Sequence, residues 1–152
     1  PIELYTRAQP SFVGRRQQHA TATVTTALRY TPNNPGDRAG LVAFHNDRHY
    51  FILGVTLAQG KPVIQLERRS SPTPGSETSI VASAPLAVAP GAPVYLKIAA
   101  RKGRYDFYYG TRPDEWTLLK GDEDGTILST KIAGGFVGTV FGLYAYEAPT
   151  AP

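Results

Sequence analysis

No cysteine and no methionine occurs among the 152 residues. Disulfides, zinc–thiolate sites and thiol nucleophiles are therefore all excluded. No apolar run is long enough to form a membrane-crossing helix, and the N-terminus lacks a signal-peptide pattern. The chain opens on Pro1 rather than methionine, so the expectation is a processed or excised piece of a longer polypeptide. Dense basic blocks are also missing. The net charge of +4 comes from 16 Lys and Arg against 12 Asp and Glu spread along the chain, which favours solubility. Without exposed aromatics interleaved in a basic groove, nucleic acid is not an expected partner. There is no glycine-rich phosphate loop and no Ser-His-Asp context, so nucleotide binding and triad chemistry have no support. No segment carries an apolar stripe at helical spacing.

What remains is strand and turn. From His19 to Tyr30 the residues alternate, with Ala20, Ala22, Val24, Thr26, Leu28 and Tyr30 set against Thr21, Thr23, Thr25, Ala27 and Arg29. The threonine side is expected to face solvent. Gly40–Phe44 and Tyr50–Leu57 read as strands around a hairpin turn, His45-Asn46-Asp47-Arg48-His49. Pro62–Arg69, Ile80–Ala87, Val94–Ala100, Tyr105–Tyr109 and Trp116–Leu119 follow, and Val137–Tyr146 is the last strand. Ile2–Tyr5 is a short candidate strand, and Ser11–His19 a dense polar segment. The 70–79 stretch is a Ser/Pro/Gly/Thr loop and Gly121–Gly125 an acidic one. Short strands with turns every ~8–12 residues indicate one all-β domain, an antiparallel sandwich of two sheets.

Several stretches resemble the C-terminal β-sandwich of family 43 glycoside hydrolases, the bacterial β-xylosidases and α-L-arabinofuranosidases. This module is also classed as carbohydrate-binding module family 91. The matching stretches are PSFVGRRQQH (Pro10–His19), AGLVAFHNDRHYF (Ala39–Phe51), VIQLERR (Val63–Arg69), VYLKIAARKGRYDFYYGTRPDEWTLL (Val94–Leu119) and LSTKIAGGFVGTVFGLYAY (Leu128–Tyr146). The resemblance implies a concanavalin A-like jelly roll packed beside a catalytic β-propeller that lies outside this chain. It implies xylan or xylo-oligosaccharides as ligands, the propeller as partner and homo-oligomers formed through the parent enzyme. The absence of cysteine fits the bacterial cytoplasm or periplasm, with secretion not excluded. The family also has a strand before the equivalent of Ile2–Tyr5 and an aromatic-rich strand after the equivalent of Tyr146. Neither is found here, which puts one edge of the sandwich in question.

The candidate site residues come from both lines of reasoning. In the family a phenylalanine on a sandwich loop lines the propeller's pocket, and Phe136 in Gly134-Gly135-Phe136 is the matching position. Paired glycines let that loop reach outward, and an aromatic ring can contact a sugar face. The competing reading is a staple on the core. Arg15, Arg16, Gln17 and His19 could present forks and amides to sugar hydroxyls or to the neighbouring domain, or could satisfy backbone groups locally. Asn46 in the hairpin turn joins them. Tyr108 is expected to be the best-exposed aromatic, because Tyr105, Phe107 and Tyr109 point the other way. Asp122 and Asp124 are weak calcium candidates, and otherwise no cofactor is expected. His19, His45 and His49 read as loop histidines rather than metal ligands. Glu67 and Asp106 are the strand carboxylates, and a glycosidase needs two suitably spaced.

The leading reading is a non-catalytic accessory module of a xylan-degrading enzyme. It would bind xylan, complete the propeller's active site, or both. The alternatives are a purely structural docking and oligomerisation domain, and a free-standing concanavalin-like glycanase.

Overall fold

Alternating apolar residues become strands whose inner side chains meet across two sheets. The computed structural model describes residues 3–5, 10–71, 78–135 and 138–150. Its strands are β1 (Ser11–Arg16), β2 (Thr21–Leu28), β3 (Arg38–Asn46), β4 (His49–Ala58), β5 (Lys61–Ser70), β6 (Ser79–Pro85), β7 (Val94–Arg101), β8 (Arg104–Gly110), β9 (Thr117–Asp124) and β10 (Val140–Tyr146). A 3-10 turn, Gly125–Leu128, and a single-turn helix α1, Thr130–Ala133, precede β10. One sheet has six strands in the order β1-β10-β3-β4-β5-β6, the other four in the order β2-β7-β8-β9. All pairings among them are antiparallel.

The core lies between the sheets. Leu41, Phe51, Leu53, Ile64 and Leu66 of the larger sheet meet Leu96, Ile98, Tyr105 and Phe107 of the smaller. Phe51 and Phe107 stack obliquely with ring centroids 5.2 Å apart. Burying one such side chain contributes roughly 1.5–3 kcal/mol. β4 is buried on both faces, because a second cluster covers the outside of the large sheet. There Leu4 packs with Val42, Tyr50, Ile52 and Tyr144. Arg38 pairs with Glu3 and places its guanidinium 4.9 Å from the Tyr146 ring centroid.

Four sequence expectations change. Leu4 and Tyr5 form a turn rather than part of a strand; Ile2 lies outside the described residues. The polar segment from Ser11 contains β1, held by backbone pairing to β10 from Ser11↔Ala145 to Arg16↔Val140. The hairpin closes on Asp47 and Arg48, with a bulge between Phe44 and Asn46. The acidic loop is mostly strand, because β9 continues to Asp124.

The smaller sheet ends at β2, so among the described residues no strand faces β1 and part of β10. A groove with cavities of about 470 and 260 Å³ runs between β1, β10 and β2. Val13, 76% exposed, and Leu143, 49% exposed, lie along it. This is the open edge of the sandwich.

Candidate functional site

Antiparallel order decides which loops meet. β1, β3, β5, β7 and β9 end, and β2, β4, β6, β8 and β10 begin, at the same end of the sandwich. The Arg16–Thr21 connection, the Asn46–His49 hairpin, the Arg101–Arg104 turn and the described parts of the connection from β9 to β10 are therefore neighbours. Four motifs scattered along the sequence share one surface.

The segment from Gly125 to Gly134 is built by its own caps. The Asp124 carboxylate accepts hydrogen bonds from Thr126 N at 2.9 Å and Thr126 Oγ1 at 2.6 Å. Ser129 Oγ donates to Thr126 O at 2.6 Å. Gly134 and Gly135 then adopt φ of 77° and 73°, a left-handed conformation that favours glycine. The hairpin latches this segment in place. Asn46 Nδ2 donates to Ala133 O at 3.0 Å, and the His45 Nε2–H donates to Gly134 O at 2.7 Å. Asn46 Oδ1 accepts from Arg48 N at 2.9 Å and from His49 Nδ1 at 3.0 Å. Burial, then the charges of Arg48 and His45, hold the His49 imidazole below its ordinary pKa. Asn46 thus works inside the protein, as a tie between hairpin and loop. Phe136 lies outside the described residues.

Gln17 is a second tie. Its backbone N–H donates to Thr139 O at 2.7 Å, and its side-chain Nε2 donates to His19 O at 2.6 Å. Its Oε1 accepts from the Tyr105 hydroxyl at 2.9 Å. Arg15, Arg16 and His19 are exposed. Register puts Arg15 beside Phe141, where its side chain borders the open groove, and Arg16 beside Val140. Between the Gln17–Ala20 stretch and the 3-10 turn lies a cleft of about 340 Å³. Its Thr126, Ser129 and Thr139 hydroxyls were not singled out in the sequence. The usable signals were Asp124-Gly125-Thr126, a side-chain cap, and Ser129 as the residue opening a helical turn.

Tyr108 stands apart from this end. It is half-buried on the outer face of the smaller sheet, opposite Lys97 and Leu118. The Lys97 ammonium sits 4.3 Å from its ring centroid and 4.7 Å from that of Trp116. One face of the Tyr108 ring is thus taken by a cation.

The carboxylates have separate roles. Asp122 accepts from Arg104 Nε at 2.8 Å, which lowers its pKa, and Asp124 caps the 3-10 turn. Among the described residues no three His, Asp or Glu side chains gather as a metal site. Glu67 lies on the outer face of the large sheet with Gln65 and Arg38. Burial pushes its carboxyl pKa up, against Arg38 and Gln65, which lower it. Asp106 lies on the outer face of the small sheet, bonded by Arg101 at 2.6 Å and by Asp122 N at 2.8 Å. The whole core separates these two carboxylates, so they cannot flank one glycosidic bond.

Fold and loop arrangement define a concanavalin-type β-sandwich in which the Arg16–Thr21, Asn46–His49 and Arg101–Arg104 connections and the segment from Gly125 to Gly134 meet at one end. The family model of the β-xylosidase C-terminal concanavalin A-like domain matches residues 1–151, and the chain belongs to that family. A non-reducing end α-L-arabinofuranosidase of Bacteroides ovatus is 25% identical over 95% of this chain and 26% of its own length. A xylan 1,3-β-xylosidase of a Vibrio species is 29% identical over 83% of this chain and 23% of its own length. The crystal structure of a xylan β-1,4-xylosidase from Bacillus halodurans superposes with a TM-score of 0.84 at 25% identity, covering 96% of this chain and 28% of that one. The chain thus spans about a quarter of the length of these relatives.

Proposed function

We propose that this chain is a non-catalytic accessory module of a xylan-active glycoside hydrolase, and that its loop end is the working surface. The observation that carries the reading is the gathering of the Arg15–His19 stretch, the Asn46 hairpin and the segment entering Phe136 at one end of the sandwich. A loop tied by Asn46 and His45 is a fixed platform, and fixed platforms present side chains at low entropic cost. Xylan or xylo-oligosaccharide is the ligand, and a propeller in the same parent chain is the partner, with Phe136 contributing to the propeller's substrate pocket. Separation of Glu67 from Asp106 supports the absence of hydrolysis.

A docking role without sugar affinity is the second reading, favoured by the internal use of Gln17 and Asn46. Kinetics separate the two. In a parent enzyme that ends in this domain, Phe136→Ala should raise KM or lower kcat on aryl-xylosides while the melting temperature holds. Normal kinetics with a melting temperature many degrees lower would assign Phe136 to the core and leave docking as the function.

A further inference from the structure

The cleft beside the 3-10 turn has a composition of its own. Among the described residues that line it, none but His19 carries an acidic or basic side chain. A charged ligand entering it would lose water without gaining a counter-charge. Its hydroxyls already have partners within the protein. Tyr105 donates to Gln17 Oε1 at 2.9 Å, Thr126 to Asp124 at 2.6 Å, Ser129 to Thr126 O at 2.6 Å and Thr139 to Leu128 O at 3.3 Å. A hydroxyl has one proton and two lone pairs. Thr126, Ser129 and Thr139 therefore have lone pairs left to accept a further bond, the buried Tyr105 hydroxyl also meets Thr139, and Gln18 at the rim is an exposed amide that can donate. Ala20 adds apolar surface. The floor is fixed: at Gly125 a Cβ would come within 2.1 Å of the Tyr105 ring.

We infer that this cleft binds a neutral sugar, the terminal one or two units of a xylan-type chain, and that the sugar donates hydrogen bonds to a ring of pre-oriented hydroxyl oxygens. The inference rests on the proposed function and assigns the module its own sugar site, separate from Phe136. A volume of about 340 Å³ is enough for one or two sugar rings rather than a long chain segment. It falls at the low end of the ~300–1,000 Å³ of small-molecule sites. Preset acceptors suit a polyol, which brings a donor on every hydroxyl. They suit a carboxylate or phosphate poorly, since those bring only acceptors.

The test is a ¹⁵N–¹H NMR titration of the whole chain with xylobiose and xylotriose at millimolar concentrations, with glucuronate as the charged control. Shifts should concentrate at Gln17–Ala20, Gly103 and Gly125–Ser129, and glucuronate should leave these signals in place. Ser129→Tyr, which fills the cleft, should weaken xylobiose by about tenfold or more with core signals unmoved. Gln18→Ala should weaken it less. If xylobiose shifts map elsewhere, or persist in a folded Ser129→Tyr variant, the cleft assignment is overturned and sugar binding by the module stands. Absence of any shift with either xylo-oligosaccharide overturns the cleft and xylo-oligosaccharide binding by the isolated module together. Stronger shifts with glucuronate than with xylobiose would overturn the neutral-ligand assignment.

Discussion

Asn46 uses both ends of its amide, joining the hairpin to the loop before Phe136. Asn46→Ala leaves the Ala133 carbonyl and the Arg48 amide without these partners, which costs about 1–3 kcal/mol. In a domain of this size that lowers Tm by roughly 2–4 °C per kcal/mol. Thermal denaturation checks the total. Hydrogen exchange of Ala133 and Gly134 N–H, which bond to Ser129 O and Thr130 O, checks the location. An unchanged Tm with unchanged exchange would show that the latch is idle. Asp37 makes a second prediction. Burial at 2% exposure raises its pKa, but N–H bonds from Asn33, Asn34 and Ala148 outweigh that, and the net shift is downward. A carboxyl with a lowered folded pKa stabilises fully above its unfolded value, and that stability is lost as pH falls through the folded value. Asp37→Asn should therefore be less stable than the parent at neutral pH. The gap should narrow on acidification below the ordinary carboxylate range, as urea midpoints across that window will read. A gap independent of pH would mean that the charge contributes nothing.

Edge strand β1 depends on a glycine. A Cβ at Gly142 would lie 2.5 Å from the Phe12 ring and 2.6 Å from Val13 O, so β1 can lie on β10 only because that position is bare. Gly142→Val should lift β1 and cost about 1–3 kcal/mol by overpacking. Fast exchange of the β1 amides with a protected β7 and β8 is the expected signature, and protected β1 amides would contradict it. The same strand shows where the sequence stopped being legible. β2, β7 and β8 were readable because each alternates polar and apolar residues against one shared core. β1 was not, because Gly14-Arg15-Arg16 breaks the alternation and backbone pairing rather than burial holds it. The end of β9 hid behind its charges, since Arg104 and Lys120 sit beside Asp122 and Glu123 and let an acidic stretch stay extended. Helix α1 is one turn long and leaves no periodic trace. Gln17, Asn46 and the Ser129 region were visible singly, but only strand order brings them together, and local pattern does not encode strand order.

Taken whole, the molecule separates a rigid core from a loop end where its unassigned polar chemistry gathers, and it sets Glu67 and Asp106 on opposite outer faces. A purified sample should release no reducing sugar from xylan or aryl-xylosides. Release that vanishes in Glu67→Gln or Asp106→Asn would place catalysis here after all. Tyr108, capped by Lys97 on the far face, should be dispensable for any sugar retention at the loop end. Tyr108→Ala slowed by xylan as the parent is, beside a Ser129→Tyr that xylan does not slow, would locate binding at that end. The most direct test of the central claim is affinity electrophoresis of the intact chain in native gels with and without soluble xylan. The account predicts slower migration in xylan, reversed by added xylotriose, with no loss of polysaccharide. Identical mobility in both gels, from a protein whose circular dichroism is that of a folded β-sandwich, would contradict it.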